Sequence, residues 1–171
     1  MHPYAITSQA AVPRSPAPPI PSPPGSPWGT RWHEQFPNRS YVELAADLAA
    51  VPSARYRLRD DLARWQLAVD HGNAELIVTE LVTNAVNATR AVAWSGARPP
   101  VRLWILSGGD VLFILVWDAT LARPVLAAPG DWEESGRGLQ FVAAFSDWGH
   151  YFPSGGHAGK VVWSQLPKST G

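Results

Sequence analysis

Two stretches of this chain read as β-hairpins, and a chain with two hairpins is bound to antiparallel pairing before any other element is placed. Val101 to Leu106 and Val111 to Trp117 are apolar runs joined by Ser107-Gly108-Gly109-Asp110, residues that tolerate the positive φ of a tight turn. Trp148 to Phe152 and Lys160 to Leu166 repeat the arrangement around Ser154-Gly155-Gly156. An apolar and polar alternation from Tyr41 to Leu44 adds a further strand, ended by a break at Val51-Pro52.

Helical periods fill the spaces between these strands. Ser53 is placed to cap a helix from about Ala54, with Tyr56, Leu58, Leu62, Trp65 and Leu67 as its apolar stripe and its arginines as a solvated face. The next helix, Ala74 to Val92 after Gly72-Asn73, is the most strongly patterned element of the chain. Gly138 to Ser146 reads as a third. Helices and hairpins in this order imply an α/β two-layer sandwich, a mixed, largely antiparallel sheet covered on one face by helices. The nine tryptophans fall mostly at strand and helix positions and read as core packing.

The organisation is one domain, residues 28–171, after a tail. Residues 1–27 hold more than half of the chain's 17 prolines and few large apolar residues, a composition expected of an extended, disordered segment. Lys plus Arg and Asp plus Glu both number 14, without a basic cluster, so the footprint of a nucleic-acid or anionic-membrane binder is missing. Cysteine is absent, which removes thiolate metal sites, disulfides and cysteine nucleophiles. No apolar run reaches the length of a membrane span and no signal-peptide pattern opens the chain, so a cytoplasmic location is expected.

Three polar features stand out against this frame. Glu80 and Asn84 are four residues apart, about 40° around a helix axis, so they share one face of an otherwise apolar helix with Leu76, Ile77, Leu81, Val82, Ala85 and Val86. A carboxylate and a carboxamide on a half-buried face need partners. Asp118 ends the apolar strand 111–117, where a carboxylate can accept from a ligand amino group. Glu134-Ser135-Gly136-Arg137-Gly138-Leu139 opens a helix with two glycines, so its amides can face an anion, and Arg137 adds a full charge. Between the last two lies a loop of about 17 residues, long enough to call for a function as a lid.

Together, in this order and with a hairpin between the first two, these features resemble the GHKL ATPases and their Bergerat ATP-binding fold. Glu80-Leu81-Val82-Thr83-Asn84-Ala85-Val86 is similar to the N-box of the small bacterial anti-sigma-factor serine/threonine kinases, and 134–139 to their second glycine box. The Val51-Pro52-Ser53-Ala54-Arg55 helix entry and the strand from Gly159-Lys160 to Leu166 resemble that group too, so the likeness spans about residues 40–166. The resemblance implies ATP and Mg²⁺ as ligands, with Asn84 as the metal ligand and Glu80 as the general base toward a partner's serine. It implies Asp118 as the reader of the adenine amino group, with Thr120 and Asn87 also at the nucleotide. Gly136, Arg137, Gly138 and Leu139 would form the phosphate turn, under a lid over about Ala119 to Ser135 that Trp132 helps to close. The partners it implies are a sigma factor and an anti-anti-sigma antagonist, with a homodimer left open.

The chain also departs from that pattern. Where the family carries a basic residue or histidine soon after the N-box asparagine, Asn87 and Ala88 stand. Arg90 falls about 240° around the helix from Asn84, which leaves Arg137 as the phosphate cation. Ala119 to Pro124 lacks the glycines of a first glycine box, and Val161 replaces a threonine on the closing strand. An alternative is therefore a regulatory binding module that keeps the fold without phosphoryl transfer. A third reading, the detached ATPase half of a histidine kinase, lacks a helix pair with a phosphoacceptor histidine, since neither His33 nor His71 has that context.

Overall fold

The computed structural model describes residues 36–126, 137–153 and 158–168. In chain order it contains β1 (Asn38–Leu44), α1 (Ala50–Trp65), α2 (His71–Ala91), β2 (Val101–Gly108), β3 (Val111–Asp118), α3 (Arg137–Phe145), β4 (Asp147–Tyr151) and β5 (Lys160–Pro167). The five strands form one sheet in the order β1-β2-β3-β5-β4. All four pairings are antiparallel, so among the described residues the expected mixed sheet narrows to a wholly antiparallel one.

The first hairpin is tighter than its composition suggests. Gly108 pairs with Val111, leaving Gly109-Asp110 as a two-residue turn, and Gly109 takes the positive φ of 54° that such a turn requires. The second hairpin inserts β5 between β3 and β4, with Asp118 opposite Lys160 at one end. Its expected turn, Ser154-Gly155-Gly156, lies outside the described residues, as do the tail 1–27 and residues 28–35.

Both long helices begin earlier than expected. The first starts at Ala50, so Ser53 is inside its first turn and caps nothing. Proline is tolerated there because the first amides of a helix have no intrahelical acceptor, so Pro52 gives up no hydrogen bond. Asp47 instead holds the entry, its Oδ1 accepting from the amide of Ala49 at 2.8 Å. The second starts at His71, capped by Asp70, whose carboxylate accepts from the amide of Asn73 at 2.8 Å.

The helices cover one sheet face. Ala54, Leu58 and Leu62 of α1, Ile77, Val78, Leu81 and Val82 of α2, and Leu139 and Val142 of α3 pack on Leu103, Ile105, Leu112, Ile114 and Val116. Each leucine, isoleucine or valine among them contributes about 1.5–3 kcal/mol when fully buried. Tyr56, expected in this stripe, is 74% exposed. The arginines of α1 are more than a solvated face. Arg57 Nε donates to the fully buried Asp61 at 2.8 Å, and Ser40 Oγ joins the same carboxylate from β1. Arg55 and Arg59 reach across to Glu75 on α2, whose carboxyl is drawn down to about 2, chiefly by the hydrogen bond from Arg59.

The opposite sheet face carries a second apolar cluster of Trp104, Leu106, Phe113, Leu115, Trp117 and Val161, with Phe36 edge-on to Phe113 at 5.4 Å and no helix residue among them. Trp104 and Trp117 are thus core residues, whereas Trp94 is 47% exposed. No described helix is long and apolar enough to cross a membrane.

Candidate functional site

A cavity of about 420 Å³ opens between α2 and the sheet. One wall is a stripe of α2, Leu81, Asn84, Ala85, Ala88 and Ala91, at the three- and four-residue spacing that keeps side chains on one helix face. The alanines leave the space open, since bulky branched or aromatic residues there would fill it. Val116 and Asp118 of β3, Lys160 and Val162 of β5, Leu139 of α3, and Thr120 and Arg123 after β3 also line it. That volume falls within the usual range for small-molecule sites, and the lining is mostly apolar with a few convergent polar groups.

At one end a buried ion pair joins two strands. Asp118 is 2% and Lys160 4% exposed, and Lys160 Nζ lies 2.8 Å from the Asp118 carboxylate. The Thr120 amide donates to Asp118 Oδ1 at 3.0 Å, and the Ala119 amide donates to the buried Thr89 Oγ1 of α2 at 3.3 Å. Burial pushes the Asp118 carboxyl above the ordinary aspartate range, while Lys160 and the Thr120 amide pull it back. Gly159 makes the pair possible. Its φ is +135°, and a Cβ there would stand 2.4 Å from the Asp118 carbonyl oxygen and 2.6 Å from the Trp117 ring. Only glycine lets β5 begin so close to the end of β3.

Glu80 lies one turn before Asn84 on α2 and is half-buried. Its carboxylate packs against Gly138 at the start of α3, where an added Cβ would stand 2.1 Å from Oε2. A side chain at the second glycine of the 134–139 motif would therefore displace the Glu80 carboxylate. Burial raises the Glu80 carboxyl above its ordinary value.

The structure thus brings Asn84, Asp118, Thr120 and Leu139 together around one cavity and sets Glu80 against Gly138. Asn87 is exposed and outside the lining, whereas its neighbour Ala88 faces in. Arg137 opens α3. Gly136, Trp132 and the rest of the expected lid from 127 to 135 lie outside the described residues. Two cations in the lining were missed by the sequence reading, which left Arg137 alone in that role. Lys160 is legible once β3 and β5 are aligned, because a charge then stands opposite Asp118 in an otherwise apolar strand. Arg123 sits in an irregular segment, where no period reports which way a side chain points.

A helix bearing Glu80 and Asn84 over a cavity that ends at a strand-terminal aspartate is the arrangement that the sequence motifs imply. A family model described as histidine kinase-like ATPase domain matches residues 44–165. The chain belongs to that family. Direct comparison with curated proteins finds no match. Among solved structures, the RsbU and RsbW domains of a Mycobacterium tuberculosis protein align with a TM-score of 0.54 at 20% identity, over 78% of this chain and 33% of that one. This chain thus spans about a third of that relative's length, and at this identity the likeness is one of fold. The mycobacterial sensor histidine kinase MprB aligns over 77% of this chain and 100% of its own, at 14% identity and a TM-score of 0.39.

Proposed function

We propose that the cavity binds ATP together with Mg²⁺ and that the protein transfers the γ-phosphoryl group to a serine of a partner protein in an anti-sigma regulatory system. The observation that carries this reading is the placement of Asn84 and Asp118 on one cavity, with Glu80 one helical turn from Asn84. Asp118 accepts from the amino group of the base. Asn84 offers a carboxamide oxygen, a hard neutral donor suited to a cation that also holds phosphate oxygens. When bound, Mg²⁺ neutralises charge on the phosphates. Glu80 accepts the proton of the attacking hydroxyl, and its raised pKa brings it closer to the range in which a general base works. The N-box likeness of residues 80–86 to anti-sigma-factor kinases supports a sigma-regulatory setting, and the family membership supports ATP as the ligand.

A second reading has an observation of its own. Since Ala88 faces the cavity and Asn87 faces solvent, the last turns of α2 bring no cation toward the phosphates, which favours a module that binds nucleotide and partner without transferring phosphate. Incubation with ATP labelled at the γ-phosphate separates the two. Labelled protein partner or released phosphate, lost in Glu80→Gln while ATP still binds, supports the kinase. Wild type that binds ATP yet gives neither product over many hours supports the module.

A further inference from the structure

We propose that Lys160 is a base-reading residue, its ammonium donating a hydrogen bond to the ring nitrogen N1 of the purine while Asp118 beside it accepts from the 6-amino group. The inference rests on the nucleotide reading above and adds to it a second, oppositely polar contact. Both side chains line the cavity and both are almost wholly buried, at 4% and 2% exposure. An ammonium carries three N–H donors and no acceptor. Among the described residues Asp118 is the one acceptor Lys160 reaches, with Nζ 2.8 Å from its carboxylate. A buried donor left without an acceptor is costly, so the remaining N–H groups call for one, and the cavity is where a ligand can supply it.

Asp118 has matching spare capacity. A carboxylate offers about four lone-pair sites, and here it accepts from Lys160 and from the Thr120 amide. The cavity wall therefore presents an acceptor directly beside a donor. The Watson–Crick edge of adenine presents the complement, an amino donor beside the N1 acceptor. The charges suit the ligand as well, because a neutral base meets a pair whose charges cancel, where a lone buried carboxylate would remain uncompensated. Gly159, by admitting β5 so close to the Asp118 carbonyl, holds the two groups side by side at paired positions of the sheet.

A purely structural pin between β3 and β5 would need the same contact, so the test must report on N1. Calorimetric titration of the wild-type protein with ATP and with 1-deaza-ATP, which replaces N1 by C–H and keeps the amino group, sugar and triphosphate, does so. A hydrogen bond from a charged donor corresponds to a loss of about tenfold or more, so 1-deaza-ATP is expected to bind at least that much more weakly. Lys160→Met is expected to bind the two nucleotides alike. Should that variant fail to fold with Asp118 left unpaired, Lys160→Met/Asp118→Leu buries no charge, offers no donor to N1 and carries the same expectation. Equal binding of the two nucleotides by the wild type overturns the proposal while leaving ATP binding intact. A discrimination undiminished in either folded variant assigns N1 to another group and also overturns it. Failure of the wild type to bind ATP at all removes the nucleotide reading, and this inference with it.

Discussion

At one end of the cavity Asp118 and Lys160 are buried, paired and tied to the strand termini, with the Thr120 amide and Gly159 fixing their approach. On α2, Glu80 against Gly138 and Asn84 on the cavity wall are only half-buried, and the helix turns toward solvent at Asn87 without offering a cation. The first region is assembled by β-sheet register and allows little adjustment. The second depends on a single helix and on the start of α3 against Glu80. On the proposed reading, recognition of the base belongs to the rigid sheet, and chemistry at the phosphates to the more open part. Binding should consequently survive changes that transfer does not, and changes at the sheet end should remove both.

The largest effect is expected at Gly159. Gly159→Val places a branched side chain at φ +135° and against the Asp118 carbonyl and the Trp117 ring, so the β3–β5 junction must move apart. Backbone strain and a steric clash together should cost on the order of 3 kcal/mol, read by urea unfolding, and ATP binding should be lost. A variant of unchanged stability that still binds ATP would break the claim that this end is rigid.

Gly138→Ala sharpens the other half of the comparison. The added Cβ displaces the Glu80 carboxylate, which sits at the end of a flexible side chain, so stability should change by less than about 1 kcal/mol. Phosphoryl transfer should fall tenfold or more with ATP affinity largely kept, as expected when a general base is displaced. A smaller effect is expected from returning a cation to α2. Ala88→Lys, inside the cavity lining, should tighten ATP a few-fold, whereas Asn87→Lys on the exposed face should not, and calorimetry distinguishes them.

The most modest signature is in pH. Because burial raises the Glu80 pKa, its carboxyl group is protonated at pH values where an ordinary glutamate is already ionised. Transfer should therefore rise with pH through that raised value, and Glu80→Gln should abolish the rise. The linked stability has the opposite sense. A raised carboxyl pKa stabilises the fold below the ordinary value, and this contribution is lost as pH rises through the raised one. Glu80→Gln should thus be more stable than wild type at neutral pH, with the advantage vanishing in acid.

How much of this was legible from sequence follows from the kind of signal each part leaves. Hairpins, α2 and the shared face of Glu80 and Asn84 are set by local period and turn chemistry, and all appear in the structure. Helix starts were displaced because Pro52 reads as a break but costs nothing in a first turn, and because Asp70, the true cap of α2, stands before Gly72-Asn73, which looked like a boundary. Tyr56 and the arginines of α1 were misjudged, since composition does not show that Asp61 would be buried and Tyr56 exposed. Lys160 escaped as a site residue for a related reason: its role depends on which strand lies beside which, and strand order is a property of the whole sheet.

The most direct test of the central claim is calorimetric titration with ATP, with and without Mg²⁺, on the wild type and on Asn84→Ala. The account predicts that the wild type binds ATP more tightly with the metal and that Asn84→Ala keeps the metal-free affinity while losing the Mg²⁺-dependent gain. A wild type that binds no ATP, or an Asn84→Ala variant whose Mg²⁺-dependent gain is undiminished, would contradict it.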